Sequence, residues 1–426
     1  MRRFLRPLLV TALAAGLTAT AAPSLAQTQN HPDREDRFKR VAYFIQWGIY
    51  SGRNYQVKDV DTSGAAAELT HINYAFGNVS EDGGCVSADS WADWEIPMKA
   101  EQSVDGVADA EGQPLRGNLN QLKKLKAKHP GLRVQISLGG WSGSKYFSDA
   151  VLTPESRAKL AASCVDLWIK GNLPGLPAGT GAGVFDGIDL DWEWPGSAGN
   201  DGNIIRPEDK QNFTLFAAEL RRQLDEVNPR LQMSAYLPAA PAKIEAGFEV
   251  KEVFKILDFA TVQGYDLHGP WELRTGHNGN LYTDPRDPSP VKYSVDATVR
   301  HYLANGAPAR KIVVGVPSYG QGWTGVKSKG NGLYAAATGP APSSGVAGTE
   351  DYKTLAKKPG KRFRDVRTGT VWLYDGNDFW SYDDPWTVLQ KALYIRTKGL
   401  GGSMMWSIDQ DDEKATLTST LYRVLR

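Results

Sequence analysis

The chain has 426 residues, with 49 Lys and Arg against 48 Asp and Glu, six His and two Cys. A formal charge of +1 gives no electrostatic basis for binding nucleic acid or an anionic membrane surface. The histidines are scattered without an HExxH pair, and the cysteines have no zinc-site spacing, so neither a metal nor another cofactor is expected.

The first residues combine Arg2, Arg3 and Arg6 with a short apolar run and small residues at Ser24 and Ala26. This layout predicts a secretory signal peptide over 1–26, cut after Ala26, and places the mature chain outside the cell. Pro7, Gly16 and several Ala and Thr interrupt the run, so it is a poor membrane anchor. Losing the three leader arginines turns the charge of +1 into −2. Residues 27–38 are polar and are expected to form a flexible lead-in. Cys85 and Cys164 form either a disulfide, which export permits, or two buried thiols.

Eight short apolar, β-rich runs follow, at 41–47, 71–76, 132–138, 184–191, 231–237, 259–265, 311–317 and 401–407. Between several of them lie helical periods. Phe213, Phe216, Leu220, Leu224 and Val227 step by three or four residues behind Pro207, and Val295, Val299 and Leu303 do so ahead of Gly306. Strands alternating with helices imply parallel strands joined by crossovers. Eight units predict an α/β fold, a closed (β/α)8 TIM barrel over 39–319 and 382–426, with an open doubly wound sheet as the other solution of the pattern. Either architecture puts chemistry at the carboxyl ends of the strands. The stretch 320–381 is too long for a loop and holds its own apolar runs, predicting an α+β insertion between strands seven and eight.

The segment Phe185-Asp186-Gly187-Ile188-Asp189-Leu190-Asp191-Trp192-Glu193 carries the chemistry. Alternation along a strand puts Asp189, Asp191 and Glu193 on one face, about 6–7 Å apart. Like charges at that spacing repel, and burial disfavours ionisation further, so at least one should keep its proton at neutral pH. A retained proton is what a general acid needs. A solvated edge, an ion-pair network or a divalent-cation site are other uses of such a run, but no Lys or Arg interrupts it.

The order Asp186, Asp189, Asp191, Glu193 resembles the signature on the fourth barrel strand of family 18 glycoside hydrolases, the chitinases. Ser137-Leu138-Gly139-Gly140-Trp141 is similar to the family's SxGG motif on strand three, and Tyr43-Phe44-Ile45-Gln46-Trp47-Gly48 to the opening of strand one. Gln263-Gly264-Tyr265-Asp266 stands where the family has Met-x-Tyr-Asp, with Gln263 departing from Met. Gly315-Val316-Pro317-Ser318-Tyr319-Gly320 and Met405-Trp406-Ser407 resemble the endings of strands seven and eight.

The resemblance implies a secreted hydrolase of β-1,4-linked N-acetylglucosamine, acting on chitin and its oligomers as a monomer. In that scheme Glu193 is the acid/base, Asp191 orients the substrate's acetamido group, and Asp189 shares a proton with Asp191. Tyr265 donates to the acetyl carbonyl, Asp266 binds sugar hydroxyls, and Trp406 floors the subsite, with a cis Trp406–Ser407 peptide. Tyr43 and Tyr236 join the substrate-binding set. Trp47, Trp141, Trp271 and Trp323 each follow a strand end and are expected to stack on sugars. Asp186, of opposite parity, is expected to support the backbone. The rival readings are a chitin-binding lectin, disfavoured because Glu193 is present, an endo-β-N-acetylglucosaminidase acting on N-glycans, and a metal-dependent deacetylase.

Overall fold

The computed structural model describes residues 38–426, so the expected leader at 1–26 and all but the last residue of the 27–38 lead-in lie outside the described residues. Eight parallel strands form the centre: β1 (Lys39–Ile45), β2 (His71–Val79), β3 (Arg133–Gly139), β4 (Gly187–Asp191), β5 (Gln232–Leu237), β6 (Phe259–Val262), β7 (Ile312–Pro317) and β8 (Gly402–Trp406). Each pairs with the next in chain order. The pairing of β8 with β1 closes the ring, which distinguishes a barrel from an open sheet.

Every apolar run read from the sequence overlaps one of these strands, with ends displaced. Residues 263–265 leave the β6 ladder because the chain is turning toward Asp266, whose φ of 54° is left-handed. Gln46 and Trp47 belong to a 3-10 turn, Gln46–Ile49, that carries the chain off β1 into the barrel mouth.

The crossover helices bury one face against the barrel. In Asp209–Val227 the buried side chains include Phe213, Phe216, Leu220 and Leu224, each contributing about 1.5–3 kcal/mol of apolar burial. Val227, in phase with them, is exposed because it lies at the helix end, beyond the barrel wall. Leu303 is likewise exposed, and Tyr302 takes its place in the core. The helix Pro385–Lys398 begins where the Asp384 side chain accepts from the N–H groups of Trp386 and Thr387 and ends at left-handed Gly399. Among the described residues no helix is long and apolar enough to cross a membrane.

Between β7 and β8 the chain builds a second, antiparallel sheet of six strands. Its first strand, Tyr319–Thr324, pairs with Phe379–Tyr382, which pairs in turn with Thr370–Tyr374. Its helical content between those strands is the single turn Tyr352–Leu355. The sheet has its own small core of Trp323, Val326, Trp372, Tyr374 and Phe379.

Cys85 and Cys164 form a disulfide that ties the short strand Cys85–Ser87, paired with the end of β2, to the helix Pro154–Cys164. It closes a loop of 79 residues, so replacing both cysteines by serine is expected to destabilise the fold by about 2–5 kcal/mol. A fall in the thermal midpoint on differential scanning calorimetry checks this, and an unchanged midpoint contradicts it.

Candidate active site

The carboxyl ends of the barrel strands open into one cleft of about 1190 Å³. The end of β3 is closely approached by β4 on one side and by Phe76 of β2 on the other, and two glycines permit it. A Cβ on Gly139, whose φ is 109°, would lie 2.4 Å from the Asp191 carbonyl oxygen, and one on Gly140 would lie 2.5 Å from the Phe76 ring. The Gly140 N–H donates to the same Asp191 carbonyl at 2.8 Å. The chain can thereby bring Asp191 and Glu193 to the barrel axis.

The three carboxylates of β4 and its extension meet different surroundings at successive heights. Asp189, fully buried, accepts from the hydroxyls of Tyr43 at 2.7 Å, Ser137 at 2.8 Å and Ser234 at 2.5 Å. Burial raises its pKa and the three hydroxyls oppose the rise. No carboxyl-to-carboxyl hydrogen bond joins it to Asp191; the two are linked by charge.

Asp191, one level up, lines the cleft, and its Oδ1 is buried without a hydrogen-bond partner. Burial first, then the charges of Glu193 and Asp189, hold its pKa well above the carboxylate range. Glu193 keeps part of its surface open to the cleft but is surrounded by protein. Burial, and after it the charge of Asp266, push it up to about 8, against a smaller opposing pull from Lys243. Asp191 and Glu193 titrate as a pair, and the pair holds a proton at neutral pH. The backbone of Glu193 is fixed by its N–H donating to Ser144 Oγ at 2.8 Å and by its carbonyl accepting from Asn203 Nδ2 at 2.9 Å.

Just past the end of β6, two strands on from β4, Asp266 is anchored by the insertion. Its Oδ1 accepts from the Tyr319 hydroxyl at 2.7 Å and from Gln321 Nε2 at 2.8 Å, and its N–H donates to Asn278 Oδ1 at 2.8 Å. Tyr265 also lines the cleft, stacked on Tyr236 with ring centroids 6.2 Å apart. Gln263, where the family pattern has Met, accepts from the Ala239 N–H at 3.0 Å and so braces the loop after β5.

Trp406 lies at the end of β8 with a cis peptide to Ser407. Its ring centroid is 5.0 Å from Tyr43 and 5.8 Å from Phe76, which stacks on it. Phe76 also stacks on Trp47 at 6.1 Å, so aromatic faces run along one wall. Trp47, Trp141 and Trp271 line the cleft at 37%, 49% and 62% exposure, open faces that solvent or a sugar must cover.

Trp323 does not join them. It is 0% exposed, packs in the insertion's own core, and donates its indole N–H to the Glu272 carbonyl at 2.9 Å. Its place at a strand end suggested the cleft, but its side chain faces into the second sheet. Asp186 accepts from Lys126 Nζ and the Val134 N–H, each at 2.8 Å, and so supports the backbone of β3.

Sequence reasoning passed over Tyr319, Gln321, Phe76, Ser144, Lys243 and Glu272 as site residues. Tyr319 stood inside a quoted motif and Phe76 at the end of an apolar run; Gln321 stands on the insertion's first strand, Lys243 on a short helix, and Ser144 and Glu272 in loops, none marked by a motif.

A family model described as glycosyl hydrolases family 18 matches residues 39–411. Among curated relatives, Chitinase C of Streptomyces lividans is 39% identical over 377 residues, 87% of this chain and 57% of the relative. Chitinase A1 of Niallia circulans is 34% identical, covering 93% of this chain and 60% of the relative. The chain thus spans only about 57–60% of the length of these relatives. Of solved structures, the catalytic domain of psychrophilic chitinase B from Arthrobacter TAD20 superposes with a TM-score of 0.88 at 45% identity, covering 92% of this chain and 96% of that one. With the barrel, the carboxylate strand and these matches in agreement, the chain belongs to glycosyl hydrolases family 18.

Proposed function

We propose that the chain is a secreted, monomeric chitinase that hydrolyses β-1,4 bonds between N-acetylglucosamine units with retention of configuration, the substrate's own acetamido oxygen acting as nucleophile. The observation that carries this reading is the pair Asp191 and Glu193, rising from one strand into the cleft, where burial raises the pKa of both.

In the reaction, Glu193 gives its proton to the glycosidic oxygen as the bond to the anomeric carbon breaks. The acetamido carbonyl oxygen closes on that carbon, forming an oxazolinium ion, and a water activated by Glu193 later opens it. The nucleophile is already tethered, which avoids most of the entropic cost of recruiting one. Asp191, with a free buried oxygen, receives the acetamido N–H and stabilises the positive charge that develops there. Tyr265 donates to the acetyl carbonyl, and Trp406 floors the sugar.

A hydrolase with a carboxylate nucleophile sets its two carboxyl groups about 5 Å apart across the bond, whereas family 18 enzymes are the known exception. That Asp191 and Glu193 rise from the same strand, and that Asp266 is tied to Tyr319 and Gln321, supports the substrate's acetamido group as the nucleophile.

Replacing Glu193 with Gln is expected to lower kcat on N-acetylglucosamine oligomers by about 100-fold or more, the size of a lost general acid. Binding of the same oligomers, measured by calorimetry, should persist; unimpaired turnover would sink the assignment. The acid is protonated below its raised pKa, so kcat/KM should fall as pH rises through about 8. Asp266→Asn removes one upward push on Glu193, and its alkaline limb should therefore move to lower pH. A limb that stays put or moves upward contradicts that coupling.

A further inference from the structure

A buried histidine behind the cleft wall is held by two carboxylates at once. His268 Nδ1 lies 2.9 Å from Glu272 Oε2, and its Nε2 lies 3.1 Å from Asp287 Oδ2. An ionised carboxylate only accepts, and a neutral imidazole has a single N–H to give. Both bonds can therefore be made together only by an imidazolium, with each ring nitrogen donating. Burial opposes that charge, but the bonds and charges of Glu272 and Asp287 outweigh it and raise the pKa of His268. The other titratable group that senses the ring is His277, which burial keeps neutral with a pKa of about 4.

The bond to Glu272 encloses a tight turn. The Glu272 N–H donates to the Gly269 carbonyl at 3.0 Å, which puts Pro270 and Trp271 at the two central positions. His268 stands just before this turn and Glu272 ends it, so their side chains close a second ring around it. The imidazole is itself fixed. Gly276 backs it so closely that a Cβ there would lie 2.6 Å from the His268 Cγ, and Asp287 ties it to the loop leading into the helix Val295–Ala304. At the apex, Trp271 is the most exposed of the cleft tryptophans, and its indole lies over Gly269, where a Cβ would collide with it.

The two carboxylates differ in their access to water. The Asp287 side chain is 6% exposed, and its Oδ1 accepts from the Ser289 N–H at 2.8 Å; the Glu272 side chain is 39% exposed and lines the cleft. When the ring loses a proton, the remaining N–H goes to the carboxylate that water cannot reach, and Glu272 is released to solvent. We propose that His268, as an imidazolium, is a positioning residue that clasps the Gly269–Glu272 turn and so holds the Trp271 indole for the sugar chain, the clasp opening as pH rises. This rests on the proposed function only in taking the cleft's ligand to be an N-acetylglucosamine oligomer. The sign follows from the raised pKa: the clasp is complete below the ordinary imidazole range and is lost as pH rises through the folded-state value.

The test is calorimetric binding of N-acetylglucosamine oligomers to the full chain carrying Glu193→Gln, in which the acid neither turns over substrate nor titrates. Adding His268→Gln, which carries no charge at any pH, should weaken binding by about fivefold at about pH 6 and leave it unchanged at about pH 9. Asp191 and Asp266 are present in both proteins, so their titration cancels in the ratio. In a parent that also carries Trp271→Ala, the same substitution should change nothing at either pH. A deficit equal at both pH values, as a merely structural loss would give, a deficit that persists without Trp271, or no deficit at all overturns the proposal. Nitrogen-15 spectra of the histidine rings, with His268 identified as the signal that Glu272→Gln moves, give a second measurement that does not require the His268 variant to fold. Both nitrogens of His268 should be protonated at about pH 6 and only one at about pH 9, and a singly protonated ring at the lower pH overturns the clasp. Failure of the parent to bind oligomers at either pH would instead contradict the proposed function.

Discussion

Three carboxyl groups on one face of a single buried strand are the constraint around which this molecule is arranged. Water would solvate such a run; the inside of a barrel does not, and each group must be treated differently for the fold to survive. Asp189 is supplied with three hydroxyls, from Tyr43, Ser137 and Ser234, which stand on three other strands. Burying a carboxyl without such partners costs several kcal/mol. Asp191 and Glu193 are not satisfied in this way, and burial first, then the charges of neighbouring carboxylates, raises the pKa of both and favours a proton held in the cleft. Function thus resides in the part of the stack that the fold leaves unsatisfied.

The rest of the structure holds that stack in place. The glycine pair at the end of β3 lets the Asp191 backbone come close, and the Ser144 and Asn203 side chains fix the backbone of Glu193 just past the end of β4. The insertion between β7 and β8 does more than wall one side. Its first strand delivers Tyr319 and Gln321 to Asp266, and the charge of Asp266 helps keep Glu193 protonated. Behind them the Lys391 ammonium is paired with Asp383, both buried, where the sheet returns to the barrel.

Much of this was legible in the residues. Parallel strands buried on both faces read as short apolar runs, and each of the eight runs overlaps a barrel strand; their ends were misplaced because caps and turns, not hydrophobicity, decide where pairing stops. Alternation alone put Asp189, Asp191 and Glu193 on one face. What the pattern could not supply was direction for side chains beyond the ends of the barrel strands. Trp323 and Trp271 both follow strand ends, yet one faces the second sheet's core and the other the cleft, a difference set by antiparallel pairing far along the chain. Lys243, Gln321 and Glu272 carry no periodic signal and reach the site through tertiary contacts alone. The two cysteines left a choice that only the 4.9 Å approach of their Cα atoms decided.

The central claim, that the bond is broken by an acid at Glu193 with the substrate's acetamido group as nucleophile, fixes the stereochemistry of the product. Two displacements at the anomeric carbon return the original configuration. Proton NMR of a chito-oligosaccharide digest in its first minutes, before mutarotation, measures it directly. The account predicts new reducing ends that are β-anomers; α-anomers formed first would contradict it.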